Sequence, residues 1–293
     1  MKWVEYPEQS IDIDNINYPR DLNKLTDPPT TLYYRGTLSK SILRRCLAIV
    51  GSRRMSRYGK AAAERLTGDL VAAGVTIVSG FMYGVDAVAH SVAVEGKGRT
   101  IAVLGSGINQ IYPPDHDILY TSILENGGVV LSEFKPEQKP KPWMYAKRNR
   151  IVAALANMGV IVIEASVKSG SLITADYANK LQRPVYALPG PINSSTSEGT
   201  NWLIKTGKAK LITNINDIKG IKKLKKEKLK NNSPLSPVES KILEILKIEG
   251  APLSADEIVA LSGMTISEVS MQISMMHLKG LLSEVDGKYA VND

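Results

Sequence analysis

From residue 46 onward, short apolar runs alternate with amphipathic stretches, and this alternation constrains the fold more than any other feature of the chain. Strand-like runs are expected at 47–50, 76–79, 100–104, 129–132, 159–164, 184–188 and 210–212. Helical patterns fall between them, near 58–73, 85–95, 115–125, 150–156, 172–181 and 201–205. Such alternation implies an α/β fold: a mostly parallel sheet with helices on both faces, because parallel strands need long crossovers and bury both of their sides. The crossovers should be right-handed. Ligands of sheets of this kind sit at the carboxyl ends of the strands. That directs attention to the loops 51–57, 80–84, 105–114, 133–147, 165–171 and 189–199.

The rest of the chain is organised around this block. Residues 1–45 read as an irregular, polar extension that wraps the core, with Pro7, Pro19, Pro28 and Pro29 and a short strand near 31–34. The sheet domain is expected over 46–218. A tether follows over 219–234, in which residues 219–232 hold seven lysines and one glutamate. Residues 235–293 show three helix starts. Ser236 with Glu239, Ser254 with Glu257 and Thr265 with Glu268 each have capping-box spacing, and Pro237 sits at a first helical position. Ser262-Gly263-Met264 turns between the second and third helices, and a hairpin is expected at Asp286-Gly287. Three helices and a hairpin make a small C-terminal winged-helix domain.

Charge divides unevenly between these parts. The chain carries +8 overall. Residues 233–293 hold four lysines against nine carboxylates, a net of −5, which leaves +13 for residues 1–232. A polyanion surface therefore belongs to the first part. Cys46 stands alone in a predicted strand, so no intrachain disulfide forms, and a reducing cytoplasm fits. No signal-peptide core and no membrane-length apolar run appears. The three histidines are far apart and lack metal-ligand spacing, so neither a metal site nor a cofactor is expected.

Within the basic part, Gly51-Ser52-Arg53-Arg54 follows the apolar run Leu47-Ala48-Ile49-Val50. A glycine-bearing loop between a buried strand and a helix offers backbone N–H groups and the helix dipole to an anion, and arginine adds a planar fork of donors. With Arg57, this loop holds three arginines within five residues, which favours phosphate binding over an ordinary turn. It is not a nucleotide P-loop: the spacing to Gly59-Lys60 is too long, and no Ser or Thr follows Lys60. Residues 139–150 carry Lys139, Lys141, Lys147, Arg148 and Arg150 with Trp143 and Tyr145 interleaved. Cations track phosphates, and aromatic faces stack on unpaired bases at about 1–3 kcal/mol per base. Lys168-Ser169-Gly170-Ser171 with Thr174 opens a further helix, where the hydroxyls cap and the lysine makes an anion site plausible. The glycines of 80–84 and 105–107 lack the dinucleotide fingerprint and suit loop packing as well as ligand contact. No catalytic dyad or nucleophile elbow stands out. Glu133 and Glu164 end strands on one crevice and are expected to orient nearby arginines.

These motifs, taken in order, resemble the bacterial DNA-processing protein A (DprA/Smf) family. The resemblance rests on Asp27-Pro28-Pro29, Leu32-Tyr33, Arg35-Gly36, Val50-Gly51-Ser52-Arg53, Ser79-Gly80, Gly84-Val85-Asp86, His90, Tyr112-Pro113, Ser132-Glu133, Arg148-Asn149-Arg150-Ile151, residues 169–175 and Pro189-Gly190, and it spans roughly 18–213. It implies an extended Rossmann-like domain that binds single-stranded DNA without sequence preference. It further implies a cytoplasmic homodimer that protects incoming DNA and loads the RecA recombinase in natural transformation. Ser52, Arg53, Arg148 and Asn149 then line the DNA groove, and Tyr145 takes the place of an aromatic that is usually Phe. The chain departs from the family at Phe81-Met82-Tyr83 and at Ala146, where proline is usual.

Two rival functions follow from the same residues. One is a nucleotide-binding Rossmann-like enzyme related to nucleoside monophosphate phosphoribohydrolases. Those enzymes use a Pro-Gly-Gly-x-Gly-Thr loop, and here Pro189-Gly190-Pro191 is followed only later by Glu198-Gly199-Thr200. The other is a duplex-binding winged-helix regulator, against which the −5 charge of that module argues. A protein-contact or regulatory role suits the module better, with Met271, Met275 and Met276 available for its core or for a partner.

Overall fold

The computed structural model describes residues 2–221, 235–278, 281–285 and 287–291. Most of the lysine-rich tether, Lys279 and the expected turn residue Asp286 lie outside the described residues. The chain divides into two compact units, Met1–Leu224 and Lys225–Asp293.

The first unit runs β1 (Gln9–Asp12), β2 (Thr31–Gly36), β3 (Cys46–Val50), α1 (Arg57–Ala72), β4 (Thr76–Ser79), α2 (Val85–Glu95), β5 (Thr100–Val103), α3 (Asp117–Glu125), β6 (Val129–Ser132), α4 (Pro142–Leu155), β7 (Gly159–Val162), α5 (Gly170–Lys180), β8 (Val185–Ala187), α6 (Glu198–Lys205) and β9 (Lys210–Leu211). All nine strands form one sheet in the order β1-β2-β6-β5-β4-β3-β7-β8-β9. The seven strands from β6 to β9 are parallel, and β1 and β2 close one edge antiparallel.

Strand β3 lies at the centre. Its residues alternate between two apolar layers: Ala48 and Val50 face α4 and α5, whereas Leu47 and Ile49 face α1 and α2. Burial on both sides explains the unbroken apolar run. The chain steps from β3 outward to β4 and β5 on one side, then resumes on the other with β7, whose Val162 pairs with Val50. The winding direction thus reverses between β3 and β7, and the crevice beyond their carboxyl ends is the switch point where such sheets bind ligands.

The N-terminal segment contributes more than the single short strand expected of it. Ile11 pairs with Leu32, and Arg35 pairs with Val130, so the segment extends the sheet by two strands. Only Ile11 of Gln9-Ser10-Ile11-Asp12 is buried, which leaves no apolar pattern to read. The basic stretch before Arg150 also differs from its expected form. It is helical from Pro142, with proline in the first turn, rather than a loop.

The second unit comprises α7 (Pro237–Glu249), β10 (Leu253–Ser254), α8 (Ala255–Ser262), α9 (Ile266–Leu278), β11 (Leu282–Val285) and β12 (Lys288–Val291), with the strands ordered β10-β12-β11. The capping pairs form as spaced. Ser236 Oγ accepts from Glu239 N–H at 3.1 Å, Ser254 Oγ from Glu257 N–H at 3.3 Å, and Thr265 Oγ1 from Glu268 N–H at 3.3 Å. Gly250 and Gly263 end α7 and α8 in the left-handed region. Ile242, Leu246, Ile258, Val269, Ile273, Met276 and Leu282 make its core, while Met271 and Met275 face outward. No single helix among the described residues is long and apolar enough to cross a membrane.

Candidate nucleic-acid interface

A cleft of about 580 Å³ opens at the switch point. It is framed by the loop after β3, the loop after β4, the first half of α4 and the N-terminus of α5. Eleven of the thirteen residues singled out from sequence line it: Gly51, Ser52, Arg53, Arg54, Tyr145, Arg148, Asn149, Ser169, Gly170, Ser171 and Thr174.

Close packing sets the loop after β3. A Cβ on Gly51 would meet the Val85 side chain at 2.7 Å. Gly84, at φ +77°, lies directly against the Ser52 carbonyl, which accepts from Val85 N–H at 3.2 Å. The glycines of the two loops therefore seat one loop on the other. Within the turn, Ser52 Oγ accepts from Arg54 N–H at 3.1 Å. Arg53 and Arg54 are exposed, and among the described residues neither makes an ion pair. The Arg53 guanidinium stands 5.5 Å from the centre of the Tyr145 ring.

The helical period of α4 sorts the basic stretch onto different faces. Tyr145, Arg148, Asn149 and Val152 line the cleft, while Met144 and Ile151 are buried. Lys147 and Arg150 turn away toward Glu133 and Asp27. Lys147, expected in the DNA groove, is therefore not part of the cleft lining. Arg148 lines the cleft but is only 4 % exposed. Its Nη1 donates to the carbonyl of Gly80 at 2.7 Å and also to that of Val103, and its Nε donates to Asn149 Oδ1 at 3.2 Å. It is thus a buried cation committed to the ends of β4 and β5 rather than the open phosphate clamp expected from sequence.

Asp86, which the sequence marks only as part of a motif, faces Arg148 from the first turn of α2 and also lines the cleft. Burial pushes its carboxyl above the usual range, against the pull of the Arg148 guanidinium. Burial in turn pushes Arg148 down to about 10, which leaves it charged near neutrality. Gly80 sits between them, where a side chain would collide with both.

On the far wall, Ser169 caps α5, its Oγ accepting from Ser171 N–H at 3.3 Å. Asn149 Nδ2 donates to the Gly170 carbonyl at 3.1 Å and so ties α4 to that helix start. Gly170 has open space around its Cα. Lys168 lines a neighbouring hollow with Trp202 and Lys208 and is not part of the cleft lining.

The two glutamates differ from each other. Glu133 holds Arg150, as expected. Among the described residues Glu164 orients no arginine: it accepts from Ser56 N–H at 2.8 Å, from Ser56 Oγ at 2.6 Å and from Thr196 Oγ1 at 3.1 Å, fixing the start of α1. Among the described residues no cluster of His, Cys, Asp and Glu could hold a metal ion.

The arrangement offers exposed guanidinium groups, a helix N-terminus and a half-buried ring along one crevice. Residues 9–222 match the family of DNA recombination-mediator protein A, and residues 226–288 match the DprA winged helix domain. Protein Smf of Escherichia coli K12 is 38 % identical over 296 residues, covering 98 % of this chain and 78 % of that protein. The DNA processing protein DprA of Streptococcus pneumoniae R6 is 40 % identical, covering 74 % of each. A crystal structure of DprA from Streptococcus pneumoniae superposes with a TM-score of 0.66 at 39 % identity, covering 74 % of each chain. A second solved structure concerns the single-stranded DNA binding mode of DNA processing protein A from Helicobacter pylori. It superposes with a TM-score of 0.64 at 34 % identity, covering 72 % of this chain and 94 % of that one. By these matches the chain belongs to the DNA recombination-mediator protein A (DprA/Smf) family.

Proposed function

We propose that this chain binds single-stranded DNA, without regard to sequence and without catalysing a reaction, as a step in DNA processing and recombination. The observation that carries this reading is the convergence of Arg53, Arg54, Tyr145 and the start of α5 on one cleft at the switch point of the sheet. The Helicobacter pylori relative, studied for its single-stranded DNA binding mode, supports the choice of ligand. The exposed arginines and the helix N-terminus hold successive phosphates, and Tyr145 stacks on a base. Arg148 and Asn149 hold the loops and α5 in register beneath the strand. In the cell, the protein acts in the cytoplasm as a homodimer that shields incoming DNA in natural transformation and passes it to the RecA recombinase. The acidic winged-helix unit serves protein contact or regulation rather than duplex binding.

A salt-titrated gel shift comparing single-stranded DNA, duplex and RNA of one sequence tests the ligand class. Preference for the single strand, alike for unrelated sequences and weakening as salt rises, is expected. Equal or tighter binding of duplex would overturn it. Release of free base from nucleoside monophosphates would restore the enzyme reading.

A further inference from the structure

The cleft combines two kinds of chemistry. Its lining includes Arg53, Arg54 and the N-terminus of α5, all suited to anions. Tyr145 also lines it, and two exposed rings stand near Tyr145 outside that lining. The Tyr112 ring lies 6.0 Å from that of Tyr145, inclined by 47°. Tyr83 lies near Tyr112, its hydroxyl donating to Asp115 Oδ1 at 2.7 Å and its ring set edge-on to His116 at 5.2 Å. Tyr112 and Tyr83 are 40 % and 43 % exposed. Tyr145 is backed by Gly105, where a Cβ would come within 2.6 Å of the ring.

We propose that Tyr145, Tyr112 and Tyr83 form a base-stacking track leading out of the cleft, which orients the strand with phosphates toward Arg53, Arg54 and α5 and bases toward the rings. The track rests on the single-strand reading given above. Aromatic faces accept any base, so the track adds affinity without sequence preference. Asp115, on the ring side, repels phosphates and enforces the same orientation. The Arg53 guanidinium lies over the Tyr145 ring. A base that takes its place on the ring frees that cation for a phosphate.

The test uses the full chain and oligothymidylates of increasing length. Tyr112→Ala should weaken binding of long strands by about tenfold, the scale of one lost stacking contact. It should leave strands just long enough to fill the cleft nearly unaffected, and Tyr112→Phe should bind as the unaltered protein does. Photo-crosslinking of 5-iodouracil DNA to the unaltered protein, which needs no variant to fold, should label Tyr112 as well as Tyr145. If Tyr112→Ala binds long strands normally and no crosslink forms at Tyr112, the track is wrong while single-strand binding stands. Equal loss at every length also contradicts the track. If the unaltered protein does not bind single strands at all, both readings fall.

Discussion

Glu133 accepts from both terminal nitrogens of Arg150, at 2.6 and 2.7 Å, and both side chains are almost fully buried. Asp27 joins from the N-terminal segment at 3.5 Å, so the pair links β6, α4 and the chain ahead of the sheet. Removing one partner of a buried pair leaves an uncompensated charge, which costs about 3–5 kcal/mol. Glu133→Ala should therefore lower the thermal midpoint markedly, and pairing it with Arg150→Met should recover much of the loss. Because Arg150 points away from the cleft, the folded double variant should keep its affinity for single-stranded DNA. A double variant that folds well but no longer binds would place Arg150 in the interface.

Arg148 predicts a different pattern. Its guanidinium braces the Gly80 and Val103 carbonyls. Arg148→Ala takes the donor from those carbonyls, at about 1–3 kcal/mol for each buried polar group, and removes the cation beside Asp86, which keeps the Met82 N–H as a partner. Stability and affinity should fall together, while the salt slope of the remaining binding changes little. A slope reduced by about 0.7 with stability intact is the signature of a direct phosphate contact instead.

His90 gives a pH dependence. It is fully buried, with Nδ1 bonded to Thr100 Oγ1 at 2.7 Å. Burial, aided by the Arg148 charge, pushes it down to about 3. An unfolded histidine titrates near 6.5. Below that pH the unfolded chain takes up a proton that the folded chain refuses, so this group's contribution is lost as pH falls from about 6.5 toward 3. The slope is up to about 1.4 kcal/mol per pH unit. Denaturant unfolding of the protein and of His90→Gln between pH 7 and 4 isolates it. The difference in stability should move in favour of the variant as pH drops, and a constant difference would contradict the assignment.

What could be read from the chain follows from burial. The six parallel strands β3 to β8 are buried along their length, so each shows as an apolar run and forms close to its expected position, whereas β9 forms as expected although both of its residues are exposed. The capping pairs of the winged helix were equally legible, because Ser or Thr followed by Glu three residues later has a local meaning. Helix α4 was not legible over its first half: Lys147, Arg148 and Arg150 mask its helical period. A cation has the same letter whether it holds a phosphate, a carbonyl or a carboxylate. Arg53, Arg148 and Arg150 fall on three different partners, and only the fold separates them. The role of Glu164 is hidden for the same reason, since its partners Ser56 and Thr196 are brought to it only by the fold.

The central claim is that the exposed guanidinium groups of the β3 loop hold phosphates of a single strand. The most direct measurement is the salt dependence of single-strand affinity for the unaltered protein and for Arg53→Ala/Arg54→Ala. The account predicts weaker binding of every sequence and a slope of log K against log salt reduced by about 1.4, two contacts at about 0.7 each. A double variant with unchanged affinity and unchanged slope would contradict it.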